Sequence, residues 1–482
     1  MNYGIVLRVL GILLIIESFL MVPSLLISLW TKGNDSTAFI LGIIITGLIG
    51  FILSKKKNYK NQISARDGLA IVSLGWLTAS LLGAIPLYIS KSTPTYIDAF
   101  FEIVSGFTTT GASILSNVEA LPMGILFWRS FTHWVGGMGI LVFTVALLPA
   151  LGIGGFQIFK AESPGPVAGK IAPKIKDTAK ILYTTYFAIT ILQIILLKIG
   201  GMSFFDSLVY TFGTVGTGGF ATKNNSVGFY NNTYIHLVIG FFMVFSGVNF
   251  SLYYSIYKGK IRDVFYNEEL RLYLGIIFVS TVAIGINLFM TSYNNMGLAF
   301  RDSFFQVGSI ITTTGYSTVD FDLWPSFSKG ILLLLMFIGG SAGSTAGGMK
   351  VIRILVMFKL IKREIIKIFH PRAMIPIKTN DKIMPNETVA GIYSFIALYL
   401  IIFVIGTLLV TLEGVDLESA ASSVVATLSN IGPGLGFVGP TRNFGEYHQI
   451  TKLLFSFFML LGRLELFTII ALIAPKNWRR EI

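Results

Sequence analysis

The sequence predicts an all-α polytopic membrane protein. Four pseudo-symmetric units of span, short helix and span surround one axis, and a two-span hairpin precedes them. Three observations predict it. Of 482 residues, 53% are apolar and only 13% charged, with a mean hydropathy of +0.73, the profile of a chain with many membrane spans. One short phrase recurs four times between apolar stretches: Thr108-Thr109-Thr110-Gly111-Ala112, Gly216-Thr217-Gly218-Gly219-Phe220, Thr312-Thr313-Thr314-Gly315-Tyr316 and Ser429-Asn430-Ile431-Gly432-Pro433. Lys and Arg cluster in alternate loops only.

A span needs roughly 20 apolar residues. Ten stretches are candidates: 5–30, 37–54, 68–90, 125–149, 179–200, 234–257, 272–291, 330–361, 388–412 and 449–474. Helices of this length in a soluble core would carry a polar face, and these have almost none. The first stretch is too long for the apolar part of a cleavable signal and has no small-residue cleavage site, so a retained span is expected. The basic clusters are Lys55, Lys56, Lys57, Lys60 and Arg66; Lys160, Lys170, Lys174, Lys176 and Lys180; Lys258, Lys260, Arg262 and Arg271; Lys359, Lys362, Arg363, Lys367 and Arg372; and Lys476, Arg479 and Arg480. By the positive-inside rule these loops and both termini are cytoplasmic, and each phrase then lies on the outer side. The clusters sit at span ends without interleaved aromatics, which argues against nucleic acid as a partner. The chain has no Cys, hence no disulfide, thiolate metal site or Cys nucleophile. Its four His (His133, His236, His370, His448) are scattered, without a metal-binding spacing.

Residues 1–67 form the hairpin. Glu17 lies inside its first span, where an acid faces protein rather than lipid and is expected to find a structural partner. The first unit, 68–150, places spans 68–90 and 125–149 around a short helix at 96–109. The second, 151–258, uses 179–200, 204–216 and 234–257. The third, 259–372, uses 272–291, 300–312 and 330–361. The fourth, 373–482, uses 388–412, 417–429 and 449–474. Each short helix has an acid near its start, such as Asp98 or Asp206. The glycines Gly111, Gly219, Gly315 and Gly432 lie 108, 96 and 117 residues apart, the mark of an internal repeat. Gly218 and Gly434 offer alternative alignments. Gly219 is preferred because Gly219-Phe220-Ala221-Thr222 matches Gly315-Tyr316-Ser317-Thr318, and Gly432 is preferred in the fourth unit.

The short helices cannot cross a bilayer, and non-helical backbone at membrane depth survives only inside protein or beside water. Four half-helices entering from outside would aim their negative dipole ends at one central pore, which favours a cation there. The phrases then read as an ion selectivity filter, in which converging backbone carbonyls replace a cation's water shell. Gly is needed because all carbonyls can turn inward only if some residues take φ values barred to others. Thr adds a hydroxyl and a stiff backbone. Thr313-Thr314-Gly315-Tyr316 resembles the TVGYG filter of potassium channels. The ion-binding residues read from the phrases are Thr109, Thr110 and Gly111; Gly218 and Gly219; Thr314, Gly315 and Tyr316; and Asn430, Ile431 and Gly432. The bland alternative, small-residue helix packing, explains one phrase better than four at matching positions.

Gly339-Gly340-Ser341-Ala342-Gly343-Ser344-Thr345-Ala346-Gly347-Gly348 interrupts the eighth stretch. Five glycines hold a helix poorly. A gating loop at 339–348 is expected, its backbone groups wetted by the conduction path, with Lys350 where the helix resumes. The simpler reading is a close helix crossing. In the last stretch, Arg463 and Glu465 form either a buried ion pair or, for Arg463, a pore residue that holds this loop or opposes cation flow. The gating set is therefore Gly339, Gly340, Ser341, Gly343, Gly347, Gly348, Lys350 and Arg463. Arg129 and His133 are expected near the outer interface in a structural role.

Taken with Trp128-Arg129, Trp134-Val135-Gly136-Gly137-Met138-Gly139, Ala161-Glu162-Ser163-Pro164-Gly165-Pro166, Asn430-Ile431-Gly432-Pro433-Gly434 and Gly462-Arg463-Leu464-Glu465, the chain resembles the TrkH/TrkG/KtrB superfamily of bacterial potassium transporters nearly end to end. The extra hairpin favours the TrkH branch. The resemblance implies potassium uptake across the inner membrane, K⁺ bound in the filter, and a homodimer embedded in lipid. It also implies a cytosolic TrkA-like ring of nucleotide-binding RCK domains that sets the loop. This chain has no nucleotide-binding motif of its own. Its basic loops 155–180, 258–272 and 359–386 would offer a docking surface to an acidic partner face.

The nearest rival keeps the fold and conducts sodium, as relatives with Ser for a filter Gly do; here Gly can fill all four positions. An intramembrane enzyme would need a nucleophile, base or metal cluster that the spans lack. A non-conducting scaffold leaves the four phrases unexplained. Glu17 and Glu465 are the intramembrane acids that could couple flux to protons.

Overall fold

The computed structural model describes residues 2–56, 64–139 and 175–473. Most of the basic cluster at 160–180, the end of the stretch 125–149 and the basic C-terminus lie outside the described residues. What is described is mostly helical, and its elements follow the predicted order.

Among the described residues, six helical stretches are long and apolar enough to cross a membrane: Tyr3–Trp30, Ser36–Ser54, Arg66–Ile89, Lys180–Ile199, Glu268–Thr291 and Asn386–Thr411. The first two make the N-terminal hairpin, and the other four are the first spans of the four units. Glu17 is buried in the protein, as expected, but its carboxylate oxygens accept no hydrogen bond among the described residues. It faces Gly83, where a Cβ would meet its Oε1 at 2.8 Å; the expected structural partner is missing.

The second spans of three units are not continuous helices, a correction to the ten unbroken stretches. The stretch 234–257 bends by 93° between Thr233–Ser246 and Phe250–Tyr257. The stretch 330–361 is two helices, Ser326–Ile338 and Val351–Phe369, parted by non-helical residues. The last divides into Gln449–Arg463 and Leu466–Ile473 at Glu465, whose φ is +61°. In the first unit Met123–Gly137 closes just before Gly139, at φ +69°. Three of these breaks hold Gly and other small residues. They are apolar enough to read as span, yet they weaken a helix by up to about 1 kcal/mol each.

Between the spans of each unit stands one short helix: Tyr96–Phe107, Phe204–Val215, Met296–Ile311 and Leu417–Leu428. Each starts on a polar cap. Thr95 and Asp98 form a reciprocal capping box, Ser203 accepts from the Asp206 amide, Asn295 from Leu298 and Asp416 from Ser419. The acids seen near the helix starts in the first two units are thus N-terminal capping groups, matched to the helix dipole. In the first short helix every residue from Asp98 onward is buried, so these helices form the centre of the bundle rather than its lipid face. After Val351–Phe369, a small hairpin pairs Lys378–Thr379 with Lys382–Ile383. Its Ile377 and Met384 pack on Val356, Leu360 and Val389.

Candidate ion-binding ring and the loop at its base

At the C-terminal tip of each short helix the chain leaves the helix in the same way. The residue two before each phrase glycine has a left-handed φ: Thr109 at +55°, Thr217 at +55°, Thr313 at +56° and Asn430 at +58°. The glycines follow at +78° (Gly111), +81° (Gly219), +82° (Gly315) and +101° (Gly432). Thr110, Gly218, Thr314 and Ile431, between them, have ordinary negative φ. Each of those intermediate amides bonds back to its helix: Thr110 to Ser105 O at 2.9 Å, Gly218 to Gly213 O at 2.7 Å, Thr314 to Ser309 O at 2.9 Å and Ile431 to Ala426 O at 2.8 Å. The repeat is therefore a repeat of backbone geometry. The left-handed positions fall on Gly219 and Gly432, not on Gly218 or Gly434.

The four segments close into a ring. A Cβ on Gly111 would stand 1.9 Å from the Gly218 oxygen; on Gly219, 2.0 Å from Thr314 O; on Gly315, 2.2 Å from Ile431 O; on Gly432, 2.7 Å from Thr110 O. Each glycine thus touches the carbonyl that precedes the glycine of the next segment, and the fourth returns to the first. At that approach no side chain fits, and the positive φ independently disfavours one. Hydroxyls stiffen the tips: Thr108 Oγ1 and Thr110 Oγ1 are 2.8 Å apart, Thr312 and Thr314 2.7 Å. The Asn430 amide spans two segments, donating to Thr110 Oγ1 at 2.9 Å and to Met459 O at 2.8 Å. Tyr316 stands apart from the other phrase residues. Its carbonyl accepts from Ser309 Oγ, and its phenol donates to Tyr210 O and Phe220 O at 3.1 Å, bracing the second unit.

The Gly-rich stretch lies across the tips of the second, third and fourth units, and Arg463 links it to the first. Thr345 Oγ1 donates to Val215 O at 3.1 Å, and the Gly347 amide donates to Thr313 Oγ1 at 2.6 Å. A Cβ on Gly347 would meet Ser429 O at 2.3 Å. Arg463 reaches Thr345 O at 3.0 Å, Gly137 O at 3.2 Å and Gly136 O, with Thr109 Oγ1 at 3.4 Å. Gly339, Gly343, Gly348 and Lys350 take positive φ, and Gly340 and Ser341 are buried. The expectation of a water-wetted backbone is corrected in part, because protein satisfies much of it. Ser341 N donates to Gly247 O, Val351 N to Gly340 O, and Ala342 N to Glu269 Oε1 at 2.7 Å, while Gly343 O accepts from Phe250 N. The Lys350 ammonium is buried on Ala346 O. Two cationic side chains, Lys350 and Arg463, therefore sit at the base of the ring.

Glu465, in the break that follows the helix of Arg463, pairs with Arg353, while Arg463 turns to the loop, one of the two readings expected for it. Arg129 and His133 are fully buried in the protein beside the ring. His133 is ten residues into its helix, about 15 Å along the axis at 1.5 Å per residue. Its Nδ1 is 2.8 Å from Gly106 O, and its ring fills the space where a Gly218 side chain would go. Sequence reasoning missed Glu102, Glu269, Arg353 and also Asn249, whose side chain lies against Gly343 of the loop. The signal was present for three of them, since each is a charge within or at the end of an apolar stretch.

Comparison with known proteins identifies the family and the fold. The TrkH family model, described as a cation transport protein, matches residues 35–480. The Escherichia coli K12 Trk system potassium uptake protein TrkH is 38% identical over 99% of this chain and 100% of its own length. TrkG of the same organism is 35% identical over 97% of each. The crystal structure of the potassium transporter TrkH from Vibrio parahaemolyticus superposes with a TM-score of 0.89 at 35% identity, covering 99% of this chain and all of that one. The chain belongs to the TrkH family of cation transport proteins and is a membrane protein.

Proposed function

We propose that this chain is the membrane subunit of a potassium uptake system of the bacterial inner membrane, both termini cytoplasmic. K⁺ binds where the carbonyls of the four segments converge, chiefly those of Thr110, Gly218, Thr314 and Ile431. The observation that carries this is the closed ring of four segments whose φ alternates in sign at matching positions. Alternation lets successive carbonyls turn to one side, and four such segments can replace a hydration shell. The four helix C-termini meeting there add negative potential. The relatives named as potassium uptake proteins support K⁺ as the ion.

The loop 339–348 with Lys350 and Arg463 forms the gate. It crosses the path at the helix tips, and its two cations oppose a third until the loop moves. A homodimer and a cytosolic TrkA-like RCK ring complete the system, the ring acting on the basic loops to shift the gate. Four units, bounded at 68, 151, 259 and 373, carry the pathway.

Uptake of ⁸⁶Rb⁺ into proteoliposomes holding the purified chain tests this, with K⁺ or Na⁺ as competitor and a Gly315→Ser variant alongside. K⁺ competition without Na⁺ competition, lost in the variant, is expected. Equal competition by Na⁺ in the wild type moves the chain to the sodium-permeable branch.

A further inference from the structure

Among the described residues, one buried ion pair stands directly behind the ring, and it belongs to the first unit. Glu102, fully buried, accepts from Arg129 Nε at 2.7 Å and from Arg129 Nη2, from Ser113 Oγ at 3.0 Å, and through its other oxygen from the Ile114 amide at 3.1 Å. Ser113 and Ile114 are the second and third residues past Gly111, so this carboxylate fixes where the first segment goes once it leaves the ring. The Arg129 guanidinium also lies over the Phe220 ring at 4.1 Å. Phe220 directly follows Gly219, so the same pair props the second segment.

The matching positions of the other units, nine residues before each glycine, are Tyr210, Gln306 and Ser423. They reach forward too, Tyr210 to Ser226 O at 2.9 Å, Gln306 to Thr318 Oγ1 at 3.4 Å and Ser423 to the Tyr447 hydroxyl at 2.8 Å, but none is charged. Backbone carbonyls are soft ligands that could close on a smaller ion unless something stiff stands behind them. Charge-assisted bonds are the shorter and stronger ones. A planar guanidinium locked by a carboxylate and an aromatic face is a stiffer support than a single neutral hydroxyl.

We propose that Glu102 and Arg129 are positioning residues for cation discrimination, holding the first two segments of the ring at the spacing that fits K⁺ and excludes the smaller Na⁺. This rests on the ring reading above.

The test is thermal unfolding of the detergent-solubilised full chain in K⁺ or Na⁺ of equal ionic strength. Ligand binding to the folded state raises the midpoint whether or not the gate opens. The wild type is expected to unfold higher in K⁺. Glu102→Gln should erase that K⁺-over-Na⁺ difference, and Arg129→Lys should shrink it. Asp98→Asn is the control: it breaks another buried pair, with Lys452 at 2.8 Å, at the far end of the same helix. It should lower both midpoints and keep the difference. A Glu102→Gln protein that folds and keeps the wild-type difference overturns the proposal. So does failure of both Glu102→Gln and Arg129→Lys to fold while Asp98→Asn folds, since the pair then serves the fold. A wild type indifferent to K⁺ and Na⁺ overturns the ring reading, and the proposal with it.

Discussion

The ring and the loop at its base are built in opposite ways. The ring repeats one backbone device four times, and its contacts are glycines against carbonyls: Gly111 on Gly218, Gly219 on Thr314, Gly315 on Ile431 and Gly432 on Thr110. The loop occurs once, and side chains from unrelated positions hold it: Arg463, Thr345, Thr313, Glu269 and Lys350. A symmetric site made of backbone is rigid and tolerates no added atom. An asymmetric plug tied by separable polar bonds can be released one bond at a time. On the proposal above, selection belongs to the first construction and gating to the second.

That contrast is broken or sharpened by substitution. The largest effect is expected from Gly219→Ala, which adds a Cβ 2.0 Å from a ring carbonyl and left-handed strain of about 1–2 kcal/mol. Rb⁺ uptake that K⁺ outcompetes should vanish. Retained discrimination would mean that the ring is not the selective element. Asn430→Ala removes the donor shared by Thr110 Oγ1 and Met459 O. It should cost about 1–3 kcal/mol, read by denaturation, and weaken discrimination without abolishing it. Arg463→Gln should act on the other region, raising uptake by the chain alone several-fold with K⁺ preference intact. A loss of preference instead would assign Arg463 to the ring through Thr109. Glu269→Gln weakens one charge-assisted bond to Ala342 N, and a shift of about 1 kcal/mol in stability with a modest rise in uptake is expected. The smallest effect on transport belongs to Gly201→Ala. Gly201 also has a positive φ, +92°, but nothing lies within 4 Å of its Cβ position. It should lose about 1–2 kcal/mol of stability and leave cation preference unchanged.

The ring was legible in the sequence because its device is local. An αL position needs Gly or a tolerant residue, and a short helix needs a cap, so Thr109-Thr110-Gly111 behind Thr95 and Asp98 can be read from neighbours. The spans were legible by length and apolarity. Their breaks were not, because Gly, Ala and Ser at 339–348 keep a segment apolar while ending its helix. Partners distant in sequence were also hidden. Nothing near Glu465 points to Arg353, 112 residues away, and nothing near Glu102 points to Arg129 as against another cation.

The central claim is that K⁺ binds on the axis of the four-segment ring. Anomalous diffraction from crystals of the full chain grown in Rb⁺ tests it most directly. A peak encircled by the Thr110, Gly218, Thr314 and Ile431 carbonyl oxygens, and displaced by excess K⁺ but not by Na⁺, is the predicted result. Rb⁺ bound elsewhere in the bundle, with no peak at the ring, would contradict it.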